Sequence, residues 1–218
     1  MYLSLVNREI KRTETILLAA LESLVVNSAV KWKETALAGM GLNWVKLTPD
    51  EWLLLLLHAD GQRPVKGEES FHISLFMMQS PPLSFKFLLL SVFSPEVHEA
   101  LKRLVEKGLV KRDYIYEGGK LIDVYSLSPK GVGESARLLE RIKNSWVLVG
   151  ELVAREGSRV LSEIEALKKT YNGRGVKTYL RLILDKLDSP DGPLDAWFKP
   201  SELEYLKKLY RAYRRELT

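Results

Sequence analysis

Residues 94–130 leave little choice of fold: a capped helix, a Gly stop, two short alternating strands and a second helix start follow one another without a gap. Ser94-Pro95-Glu96 opens a helix, because serine accepts from an orphan amide two or three residues on and proline's fixed φ suits the first helical position. Val97, Ala100, Leu101, Leu104 and Val105 recur at helical spacing, and Gly108 follows as the C-terminal stop. Residues 109–116 and 120–127 are rich in β-branched and aromatic side chains, and Gly118-Gly119 suits a two-residue hairpin turn. Ser128-Pro129 starts the next helix. A helix followed directly by a β-hairpin is the second half of a winged helix-turn-helix, so the chain is expected to bind duplex DNA or to be built on a DNA-binding scaffold.

Composition narrows the classes. A chain of 218 residues with 46% hydrophobic and 28% charged residues is globular, long enough for one large domain or two small ones. The absence of cysteine excludes disulfides, thiolate metal sites and a thiol nucleophile, and points to the cytoplasm. Scarce Gln and Asn beside abundant Lys, Arg and Glu resemble a thermophile's usage. The leucine run 53–57 is too short to span a bilayer. Residues 16–30 resemble a signal-peptide core behind Arg8, Lys11 and Arg12, but Glu14 and Glu22 interrupt it, and an amphipathic first helix is the better reading.

The rest of the chain reads as helices. Residues 6–27 and 30–40 form two, the second broken by Gly39 and Gly41. Thr48-Pro49-Asp50-Glu51 is a capping box that opens a helix to about Ala59, apolar almost all round and therefore central. A helix near 68–79 and a hydrophobic connector, 83–93, lead to Ser94. Residues 131–156 are expected as one long helix with a stripe of Leu138, Ile142, Trp146, Val149 and Val153, widened by Val147, Leu148 and Leu152. Those five stripe residues are the expected interface of a homodimer. Helices over 158–170 and 174–187, a Pro-rich stretch at 188–200 and a terminal helix capped at Ser201–Glu204 complete the chain.

The resulting expectation is a mainly α fold with a small antiparallel β-hairpin: a winged helix-turn-helix core (48–130), an N-terminal helical extension (1–47), a C-terminal helical subdomain (131–187) and a linker with a basic amphipathic helix (188–218).

The middle of the chain then resembles a family. An apolar helix, Phe85-Lys86-Phe87, F-S-P-E-V, a helix ending in E-K-G-L-V and a hairpin closing on S-L-S-P-K-G are similar to small winged-helix proteins of archaea and bacteria related to the Panacea (SocA-like) antitoxin domain. Ala166–Asn172 and the helix after it resemble that family's K-x-x-Y-N turn, so the likeness spans roughly residues 48–187. It departs at Lys66-Gly67-Glu68-Glu69 and at Leu90-Ser91-Val92. The resemblance implies a winged-helix scaffold with DNA-binding or toxin-neutralising relatives, and no catalysis.

Candidate nucleic-acid contacts are His98, Lys102, Arg103 and Lys107 opposite the apolar stripe of the reading helix, and Lys111, Arg112 and Lys120 on the wing. Arg63 and Lys66 lie near the second helix, and Lys207, Lys208, Arg211, Arg214 and Arg215 form a basic stripe at the C-terminus. Against these, Glu99 stands where it can pair with Lys102 or Arg103, and residues 61–128 carry nine basic and eight acidic groups, no basic footprint. His58, His72 and His98 are too scattered for a metal site, no phosphate-binding motif is present, and no acid, base and nucleophile assemble, so neither a cofactor nor catalysis is expected. Asn172-Gly173-Arg174-Gly175 suits either a phosphate-wrapping loop or a helix–helix turn. The first functional expectation is a DNA-binding transcriptional regulator; the alternative is an antitoxin-like module that binds a protein partner.

Overall fold

The computed structural model describes residues 34–88, 91–149, 153–188 and 199–213. The expected first helix at 6–27, the signal-like stretch 16–30, and Arg214 and Arg215 lie outside the described residues. The chain divides into two compact units, 1–44 and 45–218. In the first, a helix ends at residue 39, and Leu42 N donates to Leu37 O at 2.9 Å past Gly41, whose φ is +66°.

The second unit overturns the mainly α expectation. Its described residues form a mixed α/β fold with two three-stranded sheets and a two-stranded hairpin. In order, these are β1 (Trp44–Lys46), α1 (Pro49–Gln62), β2 (Val65–Lys66), α2 (Glu69–Phe76), β3 (Lys86–Leu88), β4 (Ser91–Phe93), α3 (Pro95–Glu106), β5 (Val110–Glu117), β6 (Lys120–Leu127), α4 (Pro129–Lys143), β7 (Trp146–Val149), β8 (Val153–Glu156), α5 (Gly157–Tyr171), α6 (Val176–Asp188) and α7 (Pro200–Tyr213).

The largest departure is at 131–156. The helix stops at Lys143, and Trp146–Val149 pair antiparallel with Val153–Glu156 in register Val147↔Arg155. An uninterrupted apolar, β-branched run fits a doubly covered strand as well as it fits a buried helix, and here the strand wins. β7 is the middle strand of the sheet β1-β7-β8, and its Val147 and Val149 are buried. Leu138 and Ile142 on α4 are buried too, while Trp146 and Val153 are half-buried. Of the apolar surplus that suggested a dimer, Leu138, Ile142, Val147, Leu148 and Val149 are covered by the chain itself, and Leu152 lies outside the described residues. A second departure is the connector 83–93, which folds as the hairpin β3–β4, Phe87 opposite Val92.

Residues 49–127 run helix α1, strand β2, helix α2, hairpin β3–β4, helix α3 and ribbon β5–β6, with sheet order β2-β6-β5. This stretch is part of a larger mixed α/β unit. Its support is α1, whose Trp52–Leu57 are all buried and which packs against α3, α4, α5 and β6. Full burial of each such side chain contributes on the order of 2 kcal/mol. The start of α1 is the expected capping box: Glu51 N donates to Thr48 Oγ1 (3.3 Å) and Thr48 N to Glu51 Oε2 (2.8 Å).

The other end of α1 is held by a buried cation. Ala59 leaves helical geometry, and Asp60, Gly61 and Gln62 follow with φ of 52°, 61° and 63°. Lys168 of α5, 1% exposed, donates from Nζ to Leu57 O and Ala59 O, each at 2.9 Å. It thereby satisfies two carbonyls that the interrupted helix leaves open. Burial lowers its pKa from 10.5 to about 8. Nearby, Ser135 Oγ donates to Val132 O (3.0 Å) and so accepts from His58 Nδ1 (2.8 Å).

Two glycines let helices approach backbone. A Cβ on Gly131 would lie 2.0 Å from Leu109 O, and one on Gly157 would lie 1.9 Å from Ile142 O. The glycine of S-P-K-G is therefore a packing requirement: it lets α4 start directly against the base of the ribbon.

Candidate functional site

α3 is fixed by the local chemistry that the sequence announces. Val97 N donates to Ser94 Oγ (3.4 Å), Pro95 follows the cap, and the helix closes with Leu109 N to Leu104 O (3.0 Å) and Gly108 N to Val105 O (2.9 Å), a Schellman motif. Val97, Ala100, Leu101 and Leu104 are buried; His98, Glu99, Lys102 and Glu106 are exposed.

The ribbon β5–β6 pairs from Val110↔Leu127 to Glu117↔Lys120, with Gly118 and Gly119 both at positive φ in the turn. Opposed residues of an antiparallel pair share a face. One face carries Arg112 with Tyr125, Tyr114 with Asp123, and Tyr116 with Leu121. At its base Tyr125 is buried beside Val65 and meets Phe71 edge-on at 5.5 Å. Beyond the core the same face runs into solvent, with Tyr114 56%, Tyr116 77% and Leu121 68% exposed.

Between α3 and this face lies a cleft of about 360 Å³, walled by Leu101, Val105 and Tyr125 and rimmed by Glu68, His98, Lys102, Glu106 and Arg112. Glu68 organises its inner end. Ser94 N donates to His72 Nδ1 (3.2 Å), which leaves His72 its proton on Nε2, directed at Glu68 Oε1 (3.3 Å). His98 Nδ1 reaches the same oxygen at 2.7 Å. The His72 bond above all, then that of His98, holds the Glu68 carboxyl down at about 2, although burial alone would raise it. Because the folded pKa lies below the unfolded value near 4.5, this contribution is whole above pH 4.5 and is lost as the pH falls toward 2. Glu68→Gln should flatten that acid limb by roughly 2 kcal/mol, read as the difference in urea midpoint between pH 5 and pH 3 for variant and wild type.

The expected cations are mostly engaged. Arg103 donates through Nε (3.1 Å) and Nη2 (2.6 Å) to Asp50 Oδ1, and Lys107 Nζ meets Asp50 Oδ2 at 3.0 Å. Burial would raise the Asp50 carboxyl, but these two partners hold it below its ordinary value. Arg103 thus reaches back to the first turn of α1 rather than along its own helix to Glu99. Arg112 Nε donates to Asp123 (2.7 Å), and its guanidinium lies 5.5 Å from the Tyr114 ring centre and 5.8 Å from that of Tyr125. Lys66 pairs with Glu117 (2.6 Å), Arg63 with Asp60 (3.7 Å) and Lys208 with Glu204 (3.0 Å). Lys102, Lys111 and Lys120 are exposed, and no carboxylate partner is found for them among the described residues. Lys207 and Arg211 lie on α7.

The 172–175 loop is a structural turn. Asn172 accepts from Lys66 N (2.9 Å) and donates to Pro64 O (2.9 Å), and Gly173 N donates to Ser70 Oγ (3.1 Å), so these groups tie α5 to β2 and α2. Sequence reasoning weighed His72 only as a metal ligand and gave no site role to Glu68 or Asp50, nor to the exposed Tyr114, Tyr116 and Leu121. Alternation along the ribbon already placed the last three on one face, which is the signal that was there to use.

The chain matches no family model, no curated protein and no solved structure. Among the described residues, no helix is long and apolar enough to cross a membrane.

Proposed function

We propose that the protein is a winged-helix interaction module whose cleft, between α3 and the tyrosine face of the ribbon, takes a protein partner, in keeping with the antitoxin-like role that the resemblance implies. The observation that carries this reading is the character of the ribbon. Where a duplex-binding wing presents cations to phosphate, this one presents Tyr114, Tyr116 and Leu121 to solvent. Aromatic side chains at an exposed patch are the usual anchors of protein interfaces. Charge agrees: residues 49–127 carry nine basic and eleven acidic groups, and Arg103, Lys107 and Arg112 already have carboxylate partners.

Duplex DNA is the second reading, favoured by the unpartnered Lys102, Lys111 and Lys120 on α3 and the ribbon. One pair of experiments separates the two. For a protein partner, a stoichiometric companion co-purifies with the full chain, and Tyr116→Ser or Leu121→Ser weakens its retention about tenfold or more, with no duplex retained at low salt. For a DNA reader contacting five or six phosphates, log affinity for a duplex falls against log salt with a slope of about −5. That slope, together with a companion protein indifferent to Tyr116 and Leu121, would overturn the protein reading.

A further inference from the structure

We propose that the outer edge of β5 pairs antiparallel with β5 of a second copy of this chain, in the register that sets Tyr114 opposite Tyr114. The pairing uses the edge of the sheet rather than its face, and so is independent of what the cleft holds.

Three observations lead there. Sheet order β2-β6-β5 leaves β5 at the end, so its outer side has no partner among the described residues along eight residues. An exposed edge of this length is a template for another strand. The turn phase decides which groups face outward. In a two-residue hairpin the closing pair, here Glu117↔Lys120, exchanges both hydrogen bonds, so Lys111, Asp113, Ile115 and Glu117 bond to β6. Ser128 N to Leu109 O at 2.9 Å continues the same phase at the base. Arg112, Tyr114 and Tyr116 therefore turn their N–H and C=O groups away from β6, toward an incoming strand.

Charge then selects one register. A two-fold pair keeps each residue on its own face, so the alternatives step by two. With Tyr114 on the axis, Lys111 faces Glu117, Arg112 faces Tyr116 and Asp113 faces Ile115. Shifting one way sets Asp113 against Asp113; shifting the other sets Asp113 against Glu117. Of these three registers the central one alone has no like charges opposed, and it gains two Lys–Glu pairs and two Arg–Tyr contacts. Among the described residues Lys111 has no carboxylate partner of its own and Lys66, at 2.6 Å, is the one cation on Glu117, and a carboxylate accepts two ammonium groups. The pairing also gathers the exposed Tyr114 and Tyr116 of both copies on one face.

The test is the mass of the full chain by sedimentation velocity from 1 to 200 μM. Wild type is expected to dimerise within that range. Lys111→Glu and Glu117→Lys each raise the dissociation constant about tenfold or more, by setting like charges opposite, and the double exchange K111E/E117K recovers dimerisation. Circular dichroism checks that each exposed substitution leaves the fold intact. Register is read independently: the chain has no cysteine, so Tyr114→Cys should cross-link to itself with a short bifunctional thiol reagent, and Tyr116→Cys should not. A chain that stays monomeric at 200 μM, a dimer indifferent to both single reversals, or self-linkage at Tyr116→Cys in place of Tyr114→Cys overturns the proposal.

Discussion

Gly131→Ala is expected to destabilise the protein by about 3 kcal/mol, measured as the shift in urea midpoint at constant m. The added Cβ would stand 2.0 Å from Leu109 O and 3.3 Å from a Leu127 methyl, and the first of these is backbone that cannot turn aside. The sign makes this informative. Within a helix, alanine is favoured over glycine by up to about 1 kcal/mol, so a glycine kept only for its place near the cap would give the opposite result. Gly133, two residues on and with nothing within 4 Å of an added Cβ, supplies the control: Gly133→Ala should stabilise slightly.

Lys168→Met should remove on the order of 3 kcal/mol at pH 7, because the methionine fills the channel yet leaves Leu57 O and Ala59 O without donors. The pH dependence gives a second readout. The buried group titrates at about 8, against 10.5 for an ordinary lysine. Between those values the unfolded chain binds the extra proton, so wild-type stability contains a component that rises from pH 8 to pH 10. Denaturation midpoints of Lys168→Met across that interval should lack the rise. A variant as stable as wild type would mean that the end of α1 needs no donor there.

These two residues mark where sequence reasoning reaches and where it stops. Ser94, Pro95, Gly108, the Gly118-Gly119 turn and Ser128-Pro129 were legible because each acts within a few residues of itself, through caps and positive φ. The capping box at Thr48 was legible for the same reason. Near the C-terminus the rule slipped by two residues: Pro200 begins α7, and Glu202 reaches back to Lys199 N at 2.8 Å rather than capping from Ser201. Trp146–Val153 misled because an apolar run carries no periodicity to separate helix from strand. Lys168 sits on an amphipathic helix and reads as one more solvated lysine until α1 is laid across it. Asp50 was read only within the capping box, since its partners Arg103 and Lys107 lie more than fifty positions along the chain and meet it only through the crossing of α1 and α3.

Asp50 gives α3 an internal counter-anion. Any phosphate or carboxylate approaching Arg103 and Lys107 finds that position already filled, so association there is an exchange of one negative group for another. Fewer small ions are then liberated than a tally of surface cations would suggest, and attraction at long range is muted. A neutralised helix beside a tyrosine-faced ribbon offers an incoming molecule shape and apolar contact at close quarters more than attraction from afar.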